Sequence, residues 1–237
     1  MTIEVLYPKL CNLFGDSKNM QYFRLCLPDT EFVTTEITDE KPAFADRPVD
    51  MIYLGSMREK AQLRVLKALF PYRDRIREMI ESGVVFLATG NAWEVFTTTI
   101  HNRTTGETAE GLGLFDLTTE IDLFDRYNGK DLGTADGVTI AGFRSQFSMV
   151  YGDNSEGYFL ACERGIGINR GSRLEGVRRN NFMGTHLLGP ILPVNPPFTE
   201  YLMGLLGVPE PKAAFREEAM AAYEQRLREF RNPKLKY

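Results

Sequence analysis

The sequence predicts an α/β protein with a mainly parallel central sheet flanked by helices. Two short apolar runs, "DMIYL" (50–54) and "VVFLA" (84–88), have the length and composition of strands buried on both faces. Segments with helical spacing lie between the runs. The resulting order of strand, helix, strand, strand, helix, strand, turn and helix is typical of this fold class.

The first half divides into elements at clear local signals. We predict strands at 3–7, 31–37, 50–54 and 84–88, and helices at 18–26, 58–82 and 92–98. Ser17 is expected to cap the first helix. The second helix should break before Pro71, because proline disfavours a helical conformation in the residue before it. Gly83 is well placed to stop that helix.

The second half changes in composition between "GLGLFDL" (111–117) and "GFRSQFSMVYGD" (142–153), which are rich in Gly, Thr and aromatic residues. We expect shorter, partly antiparallel strands there. A helix can form at 196–206, and an amphipathic helix is predicted at 213–231. Its apolar positions are Phe215, Met220, Tyr223, Leu227 and Phe230. Docking of this stripe onto the protein's own core is the favoured interpretation, and a partner helix is the alternative.

Because no Pro/Ser-rich linker is present, we expect one domain over 1–237, with a C-terminal helix (212–231) appended.

Composition and charge narrow the classes of function. The chain has 237 residues and a net charge of -4, without a basic stripe, so a nucleic-acid partner is not expected. No apolar run approaches the roughly 20 residues that span a bilayer. The three cysteines form no disulfide pattern and favour a reducing, cytoplasmic location. With two histidines and no metal-ligand spacing, we expect no metal and no other cofactor.

The stretch "VVFLATGNAWEVF" (84–96) raises the main functional question. It is predicted to be a buried strand, a tight glycine turn and a helix, and many hydrolases and amidotransferases hold a nucleophile on such a turn. Here the turn offers Thr89, Gly90 and Asn91, with neither Cys nor Ser. Gly90 suits a tight turn whatever the function, while free N–H groups of the turn would bind an anion or a carbonyl.

Three stretches carry a family resemblance. They are "LYPKLCNLFGDSKN" (6–19), "MIYLGSMREKAQ" (51–62) and "NNFMGTHLLGPILPVNP" (180–196). In this order they resemble motifs of class I glutamine amidotransferases, in the branch that includes cobyric acid synthase and the amidotransferase subunit of lipid II isoglutaminyl synthase. "GLGLFDLTTE" and "RYNG" also fall in the family's order, so the resemblance covers nearly the whole chain down to Leu206. It implies a flavodoxin-like, Rossmann-like fold.

The resemblance also implies where chemistry would occur. In the family a Cys on the turn attacks the glutamine amide, a His moves the proton, and ammonia passes to a synthetase partner. The family's "CGGYQLLG" lies over "TGNAWEVF", which places Thr89 at the nucleophile position. The family's "HGP" lies over "LGP", which places Leu188 at the His position. Gln146 stands where another family motif has a His.

Other side chains offer partial replacements. Thr89 needs a base within hydrogen-bond reach, and Leu188 cannot be one. His186 would face the same side as Leu188 if this stretch were a strand, although a packed or surface-facing His is the favoured interpretation. Glu94, just after the turn, is a candidate base or a solvated helix residue. Cys11, Cys26 and Cys162 are interpreted as structural thiols. The candidate binding residues are Gly55, Ser56, Thr89, Gly90, Asn91 and Gln146.

The sequence therefore leads to a hypothesis with two alternatives. The hypothesis is a glutamine amidotransferase-like protein that has lost glutaminase chemistry. It would act as the partner of a Mur-ligase-like or cobalamin-type synthetase, or it would bind a small amide or amino acid. The first alternative is an active amidohydrolase that uses Thr89 or Glu94. The second is a self-assembling structural subunit.

Overall fold

A six-stranded sheet lies at the centre of the computed structural model, which describes residues 1–234. The strand order is β13-β14-β4-β3-β1-β2, and every neighbouring pair is parallel except β13 with β14. The six strands are β1 (Thr2–Leu6), β2 (Glu31–Thr35), β3 (Met51–Leu54), β4 (Val85–Thr89), β13 (Val177–Arg179) and β14 (Phe182–Thr185). The mainly parallel sheet is thus confirmed, although β2 ends two residues before the predicted boundary at 37.

Buried strands at the middle of the sheet separate two hydrophobic cores. Successive side chains of a strand point to opposite faces. Ile52 and Phe86 accordingly pack in one core, while Tyr53 and Leu87 pack in the other. All residues of β3 and β4 are buried, which explains why their sequences are continuous apolar runs rather than alternating ones.

Two helices and a short 3-10 segment stand where one long helix with a break was predicted. The helices are α2 (Glu59–Leu69) and α3 (Arg73–Glu81), and the 3-10 turn at Phe70–Tyr72 contains Pro71. Gly83 follows with φ +86°, as expected of a helix stop. Helix α1 (Ser17–Cys26) begins one residue early, with Asp16 at its N-cap and no side-chain capping bond, so the predicted cap at Ser17 is wrong.

The segment after β4 is a 3-10 helix at Gly90–Phe96 rather than the α-helix predicted at 92–98. Threonines follow it, and β-branched residues are poor helix formers. The hydroxyl of Thr97 donates to the carbonyl of Glu94 at 2.7 Å, and the Thr97 N–H donates to the same carbonyl at 3.1 Å. These bonds end the helix and return the chain to extended structure at Thr97.

Two further sheets of four strands form the second half. One has the order β10-β7-β5-β6 and the other β12-β11-β8-β9. Their strands are β5 (Thr99–Asn102), β6 (Thr108–Glu110), β7 (Thr118–Ile121), β8 (Tyr127–Ala135), β9 (Val138–Gln146), β10 (Ser148–Tyr151), β11 (Leu160–Arg164) and β12 (Leu174–Glu175). Antiparallel pairing predominates, as predicted. The strands of the β8–β9 hairpin have 9 residues each, however, so the expectation of shorter strands is wrong for this hairpin.

Two helices complete the described chain. Helix α4 (Pro196–Leu205) is close to its prediction, but α5 (Arg216–Arg231) begins three residues later than expected. Phe215 adopts a left-handed conformation with φ 52°, which prevents the helix from continuing backwards. Tyr223 and Phe230 are buried, and Phe230 packs with Leu132 and Ala141, so part of the predicted stripe covers the protein's own core. Within residues 1–234, no helix is both long and apolar enough to cross a membrane.

Candidate functional site

The carboxyl ends of β3 and β4 meet at the candidate site. These strands are adjacent and parallel, with Leu54 opposite Ala88, so the loops that follow them are neighbours. Gly90 has φ +61°, and a Cβ added there would overlap with Cβ of Ser56. Gly55 is equally confined, because its Cβ would lie 2.7 Å from Cβ of Asp16. Close backbone packing therefore requires glycine at both positions.

Asp16 is the central residue of this edge, and it is not among the candidate residues predicted from the sequence. Its fully buried carboxylate accepts hydrogen bonds from Thr89 Oγ1 at 2.9 Å and from Ser56 Oγ at 2.6 Å. The backbone N–H groups of Ser56 and Phe14 also donate to it, each at 3.1 Å. Asp16 lies in the quoted motif "FGDSKN", but only the folded chain brings it to the turn.

Thr89 is closed off from solvent. Its exposed fraction is 0%, and its hydroxyl lies 3.1 Å from the hydroxyl of Tyr53 as well as 2.9 Å from Asp16 Oδ1. Burial first, and the Asp16 carboxylate second, raise the pKa of Tyr53, which stays a neutral phenol. A candidate base is thus within reach of Thr89, contrary to the expectation based on Leu188. The hydroxyl is nevertheless part of a buried network rather than presented to a substrate.

Backbone N–H groups at this edge are already used inside the protein. Gly90 N–H donates to the carbonyl of Leu187 at 3.1 Å, and Met57 N–H donates to the side chain of Asn91 at 3.0 Å. Asn91 returns a bond from Nδ2 to the Met57 carbonyl at 2.8 Å. Since Ser56 N–H is held by Asp16, three donors that surround the turn are occupied. An oxyanion hole needs such donors to be aimed at the reacting oxygen.

Leu188 and Gln146 lie on separate segments. The N–H of Leu188 donates to the carbonyl of Phe143 at 2.8 Å, and its side chain is half-buried. Gln146 Nε2 donates to the carbonyl of Ser148 at 2.6 Å. Gln146 Oε1 is buried without a hydrogen-bond partner among residues 1–234. The structure therefore brings Gly55, Ser56, Thr89, Gly90 and Asn91 together, whereas Leu188 and Gln146 approach from the second half.

A small cavity lies beside the turn. Its volume is about 210 Å³, and its lining includes Asn91, Glu94, Gln146 and Ser148. Thr89, Gly55 and Leu188 are not among the lining residues. The volume corresponds to about seven water molecules at ~30 Å³ each. It lies below the range of roughly 300–1,000 Å³ that is usual for ligand pockets. A small amino acid or amide is within the size that this volume admits.

Behind this cavity, Glu94 and His186 belong to a buried polar network. The Glu94 carboxylate accepts bonds from Gln62 Nε2 at 2.8 Å, from His186 Nε2 at 3.2 Å and from the Ser148 hydroxyl. On the other side of the ring, His186 Nδ1 lies 3.3 Å from Glu175 Oε1. His186 is fully buried against Trp93, with ring centroids 4.8 Å apart. This location agrees with the packed interpretation of His186.

The imidazole of His186 is held between two carboxylates. Burial lowers its pKa, but Glu175 and Glu94 outweigh burial and raise the pKa above the ordinary value of 6.5. Burial raises the pKa of Glu175, whereas His186 and Arg144 lower it, with a net decrease. The arrangement therefore favours a charged imidazolium. Such a group is a poor general base, because it already carries the proton that it would have to accept.

None of the three thiols offers a replacement nucleophile. Burial and the Asp16 carboxylate raise the pKa of Cys11, while burial dominates the increase at Cys26. Burial followed by Glu175 raises the pKa of Cys162 to about 12. A raised pKa reduces the thiolate fraction, which is the reactive form. Within residues 1–234, no group of three or more His, Cys, Asp or Glu residues has the arrangement of a metal site.

Comparisons with known proteins agree with this architecture. Residues 2–196 match the CobB/CobQ-like glutamine amidotransferase domain. The chain is 30% identical over 179 residues to subunit GatD of the glutamine-hydrolysing lipid II isoglutaminyl synthase from Staphylococcus aureus strain N315, covering 73% of this chain and 72% of that protein.

Solved structures support the same fold. A glutamine amidotransferase has a TM-score of 0.56 at 14% identity, covering 86% of this chain and 99% of its own. PurLQS from Thermotoga maritima has a TM-score of 0.54 at 13% identity, covering 95% of this chain and 98% of its own. At these identities the likeness concerns the fold alone. The match over residues 2–196 and the 30% identity to subunit GatD show that the chain belongs to the CobB/CobQ-like glutamine amidotransferase family.

Proposed function

We propose that this protein is a glutamine amidotransferase-like subunit that has lost glutaminase chemistry and associates with a synthetase. The supporting observation is the state of Thr89, at the position where the sequence resemblance implies a nucleophile. Its hydroxyl is fully buried and donates to Asp16, which accepts three other hydrogen bonds. A nucleophile needs access to its substrate, and this side chain has none.

The alternative of an active amidohydrolase is weaker at both proposed residues. Asp16 could accept a proton from Thr89, but the donors that would hold a tetrahedral oxyanion are occupied by Asp16, Asn91 and Leu187. Glu94 lines the cavity, yet its carboxylate is held by Gln62, Ser148 and His186. A base with three such contacts is positioned for structure rather than for proton transfer to a substrate.

The partner role rests on a relative that is one subunit of a larger enzyme. The protein from Staphylococcus aureus is a subunit of a glutamine-hydrolysing synthase, and the two chains cover more than two thirds of each other. We propose that this chain retains association with a synthetase of Mur-ligase-like or cobalamin-type chemistry.

A second function is favoured by the cavity of about 210 Å³. Its wall contains Gln146, whose buried Oε1 has no hydrogen-bond partner in the described chain. An amide N–H of a small ligand would satisfy that oxygen. Calorimetric titration with glutamine tests this function, with Gln146→Leu as the variant that removes the acceptor. Binding that is equally strong in this variant would contradict the assignment.

The partner role is tested by light scattering coupled to size-exclusion chromatography. The chain is measured alone and with Mur-ligase-like and cobalamin-type synthetases from its own source. We expect a heteromeric complex with one synthetase. A chain that forms only complexes with itself would favour the structural-subunit alternative, and the absence of any complex would refute the partner role.

A further inference from the structure

A large groove lies next to the small cavity. It has a volume of about 790 Å³ and is bounded by the start of α2, the loop after β1, the β5–β6 hairpin and the end of β7. Apolar side chains, among them Leu10, Ile100 and Ile121, line its inner surface. The groove is several times larger than the cavity beside the turn, and it is not part of the site described above.

Positive charge is concentrated on one rim of this groove. Arg58, Lys60 and Arg64 are exposed, and their side chains make no hydrogen bond or ion pair with any residue in 1–234. The charged lining residues are four cations and two carboxylates, and one of the cations, Lys9, pairs with Glu36 outside the lining at 3.1 Å. The remaining local net charge is +1, whereas the whole chain has a net charge of -4. The groove thus has the opposite sign from the protein as a whole.

The positions of these cations are unfavourable for the helix itself. Arg58 and Lys60 lie at the N-terminal end of α2, where the helix dipole favours negative charge. Lys60 and Arg64 are four residues apart on the same helix, and like charges at that spacing repel. Local helix stability therefore does not explain the three cations. An anionic group bound across the rim would offset their unfavourable interactions.

Apolar side chains are exposed at the same place. Leu63 on α2 is 40% exposed and Leu123 after β7 is 37% exposed, and both line the groove. The adjacent Phe124 is 90% exposed. Arginine and aromatic residues are enriched at protein interfaces, so Arg58, Arg64 and the neighbouring Phe124 suit a protein partner.

The groove and the small cavity adjoin each other. Arg58, Glu59 and Ile121 line both. Gln62 connects the groove to the buried network, because it lines the groove and donates through Nε2 to Glu94. Its Oε1 is buried and accepts no hydrogen bond from the described chain. A protein seated in the groove would therefore contact residues that also line the cavity.

We propose that this groove is the docking site of the synthetase partner, which places an acidic and apolar segment in it. Carboxylates of the segment pair with Arg58, Lys60 and Arg64, and an apolar side chain enters between Leu63 and Leu123. This assignment rests on the partner role proposed above. It adds the surface and the chemistry of the contacting segment.

The test uses charge reversal of the full-length chain with a control of equal charge. The groove variant is Arg58→Glu/Lys60→Glu/Arg64→Glu. The control, Lys18→Glu/Lys67→Glu/Lys212→Glu, changes three exposed lysines that do not line the groove. We expect the groove variant to raise the Kd for the synthetase at least about tenfold, and the control to stay close to the unmodified chain. Circular dichroism and thermal melting establish that both variants are folded.

A second pair of variants tests the apolar contact. Leu63→Asp changes an exposed leucine of the groove, and Leu25→Asp changes an exposed leucine of α1. Only the first should weaken the complex. Equal affinity for the groove variants and the unmodified chain overturns the docking site while leaving the partner role intact. Failure of the unmodified chain to bind a synthetase overturns both. If the groove variants lose self-association rather than synthetase binding, the groove binds a second copy of this chain, and the proposed occupant is overturned.

Discussion

At the scale of single residues, Thr89 has a structural role that its buried hydrogen bonds define. The Thr89 hydroxyl completes the hydrogen bonding of a buried carboxylate, together with Ser56 Oγ and the N–H groups of Phe14 and Ser56. A buried carboxylate is stable only when its oxygens are paired. Thr89 therefore contributes to the free energy of folding through Asp16.

Removal of this hydroxyl should destabilise the protein. Thr89→Val keeps the branched shape but takes one donor away from Asp16, and we expect a loss of about 1–3 kcal/mol in the free energy of unfolding. Thr89→Ser keeps the donor and should lose less. Urea unfolding followed by circular dichroism measures both. A Val variant as stable as the unmodified chain would show that the hydroxyl has no such role.

Gly90 allows a matched test of the turn. Gly90 and Gly106 both have positive φ, at +61° and +76°, but a Cβ at Gly90 meets Ser56 whereas a Cβ at Gly106 meets nothing within 4 Å. Each Gly→Ala change incurs the left-handed conformational cost of about 1–2 kcal/mol. Gly90→Ala should lose clearly more than Gly106→Ala in thermal or urea unfolding. Equal losses would mean that the contact with Ser56 is easily relieved.

At the scale of elements, buried ion pairs connect the sheets. Arg144 on β9 donates to both carboxylate oxygens of Asp131 on β8, at 2.9 and 2.8 Å, and lies 4.0 Å from Glu175 on β12. Glu175 in turn accepts from the N–H of His186 after β14, at 2.8 Å. The antiparallel sheet and the central sheet are thus joined by charged groups with no exposure.

Breaking this network should be costly. Arg144→Leu leaves Asp131 and Glu175 buried with one cation fewer, and we expect a loss of about 3–5 kcal/mol in the free energy of unfolding. Arg231→Ala removes the half-exposed pair with Glu163, where about 0–1 kcal/mol is expected. Chemical denaturation of both variants provides the comparison. Similar small losses would show that Arg144 is not essential to the network.

His186 should make stability depend on pH. Its folded-state pKa lies above the ordinary 6.5, so the folded protein binds more protons than the unfolded chain between the two values. The contribution is complete below about pH 6.5 and is lost as pH rises through the folded pKa. Each unit by which folding raises this pKa corresponds to about 1.4 kcal/mol in the free energy of unfolding.

The corresponding experiment compares unfolding free energies from about pH 6 to about pH 9 for the unmodified chain and His186→Gln. The difference between the two proteins should shrink as pH rises, because the glutamine side chain of the variant does not titrate in this range. A difference that is constant with pH would contradict a charged His186.

The sequence predicted the elements whose signals are local. Apolar runs predicted β3 and β4, and Pro71 predicted the interruption between α2 and α3. Asp16 was missed because its contact with Thr89 joins residues 73 positions apart. The contact of His186 with Glu94 was missed for the same reason, since these residues lie 92 positions apart. Side-chain pairing over such distances depends on the fold and has no periodic signal.

At the scale of the whole molecule, the central sheet positions the turn and the second half covers it. Ser148 and Gln146 from the second half reach the cavity beside Asn91 and Glu94. We propose that the chain forms one domain, because α5 also packs on the second half, where the Tyr223 hydroxyl donates to the carbonyl of Thr139 at 2.7 Å. In this arrangement the turn lies against a closed polar network of Asp16, Ser56 and Tyr53.

The most direct test of the proposed loss of glutaminase chemistry is an assay of glutamine hydrolysis, measured as glutamate and ammonia release by the purified chain. It is measured alone and with the bound synthetase, beside a Thr89→Ala variant and a buffer control. We expect the unmodified chain and Thr89→Ala to release both products only at the rate of the buffer control in either state. Release well above that rate by the unmodified chain, lost in Thr89→Ala, would contradict the proposed loss.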